Sequence, residues 1–308
     1  MVPIALVVLV AAIELGARYV LGLGDPPLYA LDPQIEYVMK PSATYRRFGN
    51  RVAINQWSMR SDDFPRLKAD RSELRVMVFG DSITQAGAQL DQRELATERL
   101  KIDLSATLRR PVVVGNISAG SWGPVNMLRY AERYGFFDAD VVVIVLSSHD
   151  VADVPDFGPR GEDRPTETPR FAIEEGVRRY LPRYVSALQG SEPPPAQGPP
   201  PAPSADAVST SLNATDTLIR MAAARARVAV ALHLERDEPV DAPKPGHDQL
   251  KKTATAAGAA IVELGPEFAR AAKGGAPLYR DWIHPTAAGQ AVIAGALSRW
   301  IAAAVAPH

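Results

Sequence analysis

Arg75-Val76-Met77-Val78-Phe79-Gly80-Asp81-Ser82 decides the reading of this chain. Val76–Phe79 is an unbroken apolar run without polar alternation, the pattern of a strand buried on both faces. It stops at a glycine, an acid and a hydroxyl. Runs of the same kind recur downstream, with strands predicted over 111–116 (Val112-Val113-Val114), 140–146, 228–232 and 260–264. Between them the periodicity predicts helices over 94–109, 124–134, 206–226, 247–257 and 286–305. In the first of these Leu95, Leu100, Leu104 and Leu108 fall close to one face. β-Branched strands alternating with helices imply an α/β fold, a three-layer α/β/α sandwich around a central parallel sheet. In such sheets ligands bind beyond the carboxyl ends of the strands. Ser82 and the loops over 116–123 and 147–150 all fall on that rim.

Bulk composition narrows the chemistry. The chain has 308 residues, with 34 Lys and Arg against 35 Asp and Glu and a net charge of −1. It carries no electrostatic footprint for nucleic acid, and no nucleic-acid partner is expected. Cysteine is absent, which excludes disulfides, thiolate metal sites and a cysteine nucleophile. No metal or cofactor is expected, because no His and carboxylate set shows ligand spacing.

Residues 1–24 stand apart. Val2 to Ile13 is wholly apolar, and only Glu14 and Arg18 interrupt the run up to Gly24; four apart, they share a helix face and can pair. The length just reaches the roughly 20 residues that span a bilayer, so a membrane anchor is expected. A cleaved signal peptide fits less well, since a basic n-region and a clear cleavage site are missing. A buried helix is the third alternative. Residues 25–73, rich in turn formers and aromatics, read as an extension of short strands and loops packed on a main domain over 74–308. That domain carries a Pro-rich insertion at about 151–205. Its part around Pro193-Pro194-Pro195 and Pro199-Pro200-Pro201 reads as a loop, serving as a tether or as a lid.

The chemistry-bearing residues are Ser82 at a strand tip and Asp281 and His284 just before the last helix. A serine hydroxyl is a weak nucleophile until a base takes its proton and a third group orients the base. The alternatives are local: Ser82 as a helix N-cap, and Asp281 with His284 as a surface pair capping the last helix. Two more blocks fall at strand ends, Asn116-Ile117-Ser118-Ala119-Gly120-Ser121 and Ser147-Ser148-His149-Asp150. Asp81 and Asp150 read as strand-end residues holding neighbouring loops. His233 reads as core and His247 as a helix-start residue.

With its four blocks in this order, the chain resembles the SGNH/GDSL hydrolase superfamily over roughly 74–304, outside the insertion. Asn55-Gln56-Trp57-Ser58-Met59-Arg60 also resembles a segment of membrane-anchored bacterial members. The resemblance implies a flavodoxin-like sheet, with Ser82 as nucleophile and oxyanion donor, His284 as general base and Asp281 orienting it. Gly120 or Ser121 would give a second backbone N–H to the oxyanion. The third block is normally Gly-x-Asn-Asp; here Ser147 replaces the Gly and His149 the Asn. A neutral imidazole keeps one N–H, so His149 can substitute for the Asn. Otherwise another group completes the hole, or catalysis is weak.

The implied activity is ester hydrolysis through an acyl-serine, on O-acyl esters of a cell-envelope polysaccharide or a lipid. The alternatives are an O-acyltransferase using the same triad and a non-catalytic carbohydrate-binding or assembly module. The expected setting is the inner membrane, single-pass, with the catalytic domain periplasmic.

Overall fold

The computed structural model describes residues 2–158, 161, 163–181 and 203–306. Helix α1 (Val2–Tyr19) leads into two antiparallel hairpins, β1 (Tyr29–Asp32) with β2 (Glu36–Met39) and β3 (Ala43–Arg47) with β4 (Asn50–Ile54). The main sheet then forms from β5 (Leu74–Gly80), β6 (Val112–Ser118), β7 (Val141–Ser147), β8 (Arg227–His233) and β9 (Ala260–Glu263). All five strands run parallel, in the order β6-β5-β7-β8-β9. The helices are α2 (Ser82–Gln85), α3 (Ala96–Leu108), α4 (Pro124–Tyr134), α5 (Ala172–Glu175), α6 (Ala205–Ala223), α7 (Pro245–Ala256), α8 (Gly265–Ala272) and α9 (Ala287–Ala304).

β5 is buried along its whole length, and its side chains alternate between two cores. Val76 and Val78 pack with Leu100, Leu104, Ile293 and Leu297 of α3 and α9. Met77 and Phe79 pack with Tyr130, Leu218 and Leu250 of α4, α6 and α7. Burying one such side chain stabilises the fold by about 1.5–3 kcal/mol. The three-layer sandwich expected from the strand pattern is therefore present. Helix α8 was not anticipated. Pro266, in the first turn, has a pre-set φ and lacks only an N–H that would be unpaired there.

The chain crosses from β6 on one side of β5 to β7 on the other. The crevice at such a reversal, beyond the strands' carboxyl ends, is the ligand-binding position of an open α/β sheet.

The expected membrane anchor falls on α1. Among the described residues no helix is long and apolar enough to cross a membrane. Helix α1 runs for 18 residues. Its last turns are also bound to the globular part. Arg18 donates to Glu14 Oε1 (2.8 Å), as their spacing predicts. Glu14 accepts the backbone N–H groups of Ala172 (2.9 Å) and Ile173 (3.0 Å) at the start of α5. Within 151–205, Ala172–Tyr180 is thus helical and bonded to α1. The proline-rich loop lies outside the described residues, apart from residues 203–204.

Residues 25–73 carry the short strands β1–β4 and are hydrogen-bonded to the α/β domain. Asn55 Oδ1 accepts from the N–H groups of Trp57 (2.9 Å) and Met59 (3.0 Å), a local turn that delivers Arg60 into the interior. Arg60 is fully buried, and its guanidinium donates to the carbonyls of Gln85 (2.5 Å), Gly87 (2.6 Å) and Leu90 (2.7 Å). Burial lowers its pKa to about 9. The extension thereby clamps the loop that follows α2. Arg60→Met keeps the volume and removes the donors. We expect it to lower folding stability by about 2–4 kcal/mol, read as a drop in urea midpoint at unchanged slope. A loss under about 1 kcal/mol would mean the carbonyls find other donors.

Candidate active site

Gly80 closes β5 where no larger residue fits. A Cβ there would lie 2.1 Å from Thr84 Oγ1, so the tight strand-to-helix turn requires glycine. Asp81 then caps α2, its Oδ1 accepting the Ile83 N–H at 2.8 Å. The cap is Asp81, so Ser82 is the first helical residue, half-buried, with an N–H that has no partner within the helix. Two side chains hold α2 in place. Asn116 Nδ2 donates to Thr84 O at 3.0 Å, and Gln290 Nε2 of α9 donates to Ile83 O at 2.7 Å.

The loop before α9 carries the partner groups. Asp281 Oδ1 accepts the backbone N–H groups of Ile283 (3.0 Å) and His284 (2.8 Å), and Oδ2 lies 2.8 Å from His284 Nδ1. A carboxylate only accepts, so Nδ1 carries the proton. Nε2 is then the acceptor for the Ser82 hydroxyl, at 2.8 Å. The cap of α9 is Thr286, whose Oγ1 accepts the Gly289 N–H at 3.2 Å, leaving Asp281 and His284 to each other and to Ser82. Burial raises the Asp281 pKa, but the N–H groups of His284 and Ile283 and the imidazole outweigh it and hold the carboxyl below its usual range. His284 is lowered by burial, which outweighs the opposing pull of Asp281.

This loop rests on a residue that the sequence marked only as core. His233, fully buried at the end of β8, donates from Nε2 to Ile283 O at 3.1 Å. Burial lowers its pKa to about 4, so it is a neutral prop. His247 lies in the first turn of α7, as expected, with Nε2 3.0 Å from Glu263.

Gly120, Ser121 and His149 occupy loops on the same rim, and no hydrogen bond joins them to Ser82, His284 or Asp281. Tyr37 of β2 fixes the first loop, donating from Oη to Gly120 O at 2.6 Å. Ser121 has φ 57°, the left-handed conformation that favours glycine, whereas Gly120 does not. Of the two alternatives, Ser121 is the position with the glycine-like backbone. In the third block, Ser147 Oγ lies 2.8 Å from His149 Nδ1, and the Ser147 N–H donates to Asp150 Oδ2 at 2.6 Å. His149 Nε2 faces inward, 3.7 Å from Asp81 Oδ2 and 3.8 Å from Asp150 Oδ1. Burial, then the Asp150 carboxylate, push Asp81 up to about 7; burial, then Asp153, push Asp150 up to about 8. This convergence had no signal in the sequence, because its members come from separate strand ends.

The sequence matches the GDSL-like Lipase/Acylhydrolase family over residues 78–292. No curated protein matches the chain significantly. Among solved structures, a lipolytic protein of the G-D-S-L family from Veillonella parvula is 14% identical, with 75% of this chain and 97% of that chain covered and a TM-score of 0.44. The acetylxylan esterase Axe2 from Geobacillus stearothermophilus is 15% identical, over 74% and 94%, with a TM-score of 0.47. The acetyl xylan esterase AlAXEase is 15% identical, over 76% and 100%, with a TM-score of 0.46. With the family match spanning most of the α/β domain, the chain belongs to the GDSL-like lipases and acylhydrolases and is an ester-hydrolysing enzyme.

Proposed function

We propose that the protein hydrolyses O-acyl esters of a cell-envelope polysaccharide or lipid through an acyl-Ser82 intermediate. The observation that carries this reading is the chain of contacts from Ser82 Oγ to His284 Nε2 and from His284 Nδ1 to Asp281. Ser82 Oγ attacks the ester carbonyl while its proton passes to His284 Nε2. Asp281 holds the imidazole in that tautomer and stabilises its charged form. The tetrahedral oxyanion collapses, the C–O bond breaks, and the departing alcohol takes the proton from His284. Water then attacks the acyl-serine by the same path in reverse. The backbone N–H of Ser82 and one from the Gly120–Ser121 loop are the proposed oxyanion donors. The role expected for His149 as a third donor needs a ring nitrogen turned away from its present neighbours.

Trp282 favours the polysaccharide end of this substrate range. It is half exposed on the catalytic loop itself, with its ring centroid 6.0 Å from that of His149. A broad, rigid, amphipathic face beside the nucleophile suits a sugar ring better than an acyl chain. Attachment at the envelope membrane, with the domain extracytoplasmic, is part of the proposal. It is supported by exposed Ile4, Leu6, Val7, Val8, Leu9, Val10 and Ile13 along α1.

Ser82→Ala is expected to lower kcat/KM on a short-chain p-nitrophenyl ester by at least about 10³-fold. Equal rates for the two proteins would refute the acyl-serine route. The acidic limb of kcat/KM reports the deprotonation of His284, which faces Asp281, Arg280 and His149. Only neutral His284 accepts the serine proton, so activity rises with pH. Because its pKa is lowered, the limb has its midpoint below about 6.5, the ordinary imidazole value; a midpoint above that value would exclude His284 as the base. Trp282→Ala is expected to raise KM for an acetylated oligosaccharide about 10-fold while leaving p-nitrophenyl acetate hydrolysis within about twofold. An equal effect on both substrates would remove the sugar platform.

A further inference from the structure

We propose that Asp81, His149 and Asp150 form a binding site for a first-row divalent cation, of which Zn²⁺ is the best match, beside the nucleophile. Asp81 ends the turn from β5, while His149 and Asp150 follow β7, so the site lies at the reversal point of the sheet. One ligating atom from each lies within 4.8 Å of the other two.

Each ligand is already fixed by its other polar atom. Asp81 Oδ1 is tied to the Ile83 N–H, leaving Oδ2 without a hydrogen-bond partner. Asp150 Oδ2 is tied to the Ser147 N–H and hydroxyl, leaving Oδ1 without one. His149 Nδ1 is tied to Ser147 Oγ, leaving Nε2 directed at both bare oxygens. Metal-binding histidines have this outer-shell arrangement, the second ring nitrogen held by a hydroxyl, carbonyl or carboxylate. Both carboxylates are essentially unexposed (1% and 0%), whereas the imidazole is 32% exposed, which gives an ion its entry path.

The separations decide between a cation and a direct hydrogen bond. At 3.7 and 3.8 Å, Nε2 donates properly to neither oxygen. Two ligands bound at about 2.0–2.2 Å around a tetrahedral ion stand about 3.4 Å apart, so the two His149 edges close with a contraction of a few tenths of an ångström, and the Asp81–Asp150 edge lies within 4.8 Å. One imidazole and two carboxylates match Zn²⁺ or Mn²⁺ better than Mg²⁺ or Ca²⁺. Three protein ligands leave one tetrahedral position open to water. The ion would offset two buried negative charges and cross-tie the loops after β5 and β7. It needs no assumption about esterase activity.

The test uses the full chain, stripped with a chelator and then titrated with Zn²⁺ or Mn²⁺ by calorimetry and by metal analysis after dialysis. One bound ion per chain and a Tm rise of about 5 °C at saturation are expected. His149→Ala, at a half-exposed position that tolerates truncation, and Asp150→Asn should each weaken binding at least about 10-fold. His284→Ala should retain it. Absence of binding at millimolar metal would overturn the proposal. So would binding that survives His149→Ala and disappears in His284→Ala, which would place the ion on the triad.

Discussion

Everything on the functional rim depends on β5 being paired on both edges and buried on both faces. A strand so enclosed has no freedom of register: Phe79 opposes Ile117 on one side and Ile144 on the other. The polar residues that follow must therefore emerge at one height, at the crevice between β6 and β7. A slip of one residue would turn Met77 and Phe79 from one core into the other, inverting the burial that both helical layers supply. Ser82 is thus placed by hydrophobic burial several residues away. Hydrogen bonds from Asn116 and Gln290 then set its orientation.

The legible part of this architecture is what short stretches of sequence encode. Val141–Leu146 has no reading other than a buried strand, and α4 falls over 124–134 because Pro124 opens it and Gly135 closes it. Ser82, Asp281 and His284 were legible for a different reason. Asp281 and His284 orient each other locally, through N–H groups three residues apart, so their spacing carries geometry. Helix α8 was lost because proline has opposite meanings inside a helix and at its first turn. The clamp of Arg60 on three carbonyls, the prop beneath Ile283 and the meeting of Asp81 with Asp150 were not legible. Each joins residues whose separation along the chain leaves no periodic trace.

α1 shows the same limit in composition-based reading. Its apolar run suggested a span, in which Glu14 and Arg18 read only as interruptions. They are the fastening: Glu14 caps the backbone of α5, and Arg18 neutralises the glutamate while its own charge stays near solvent. A polar pair that would cost energy in lipid stabilises the junction between an apolar helix and a polar body.

His149 is where two demands compete for one imidazole. An oxyanion needs a donor only while charge develops on the substrate, whereas the bare buried oxygens of Asp81 and Asp150 need a partner at all times. Burial alone pushes both acids towards neutrality, so an unassisted pair is costly to ionise and leaves bare oxygens without partners. Aligning Nε2 with those oxygens answers the permanent demand first. An asparagine amide nitrogen has no lone pair with which to bind a cation, whereas an imidazole nitrogen has. On the proposed readings, His149 in place of Asn serves the cation site with Asp81 and Asp150, and the backbone N–H groups of Ser82 and the Gly120–Ser121 loop are left to face the reacting carbonyl.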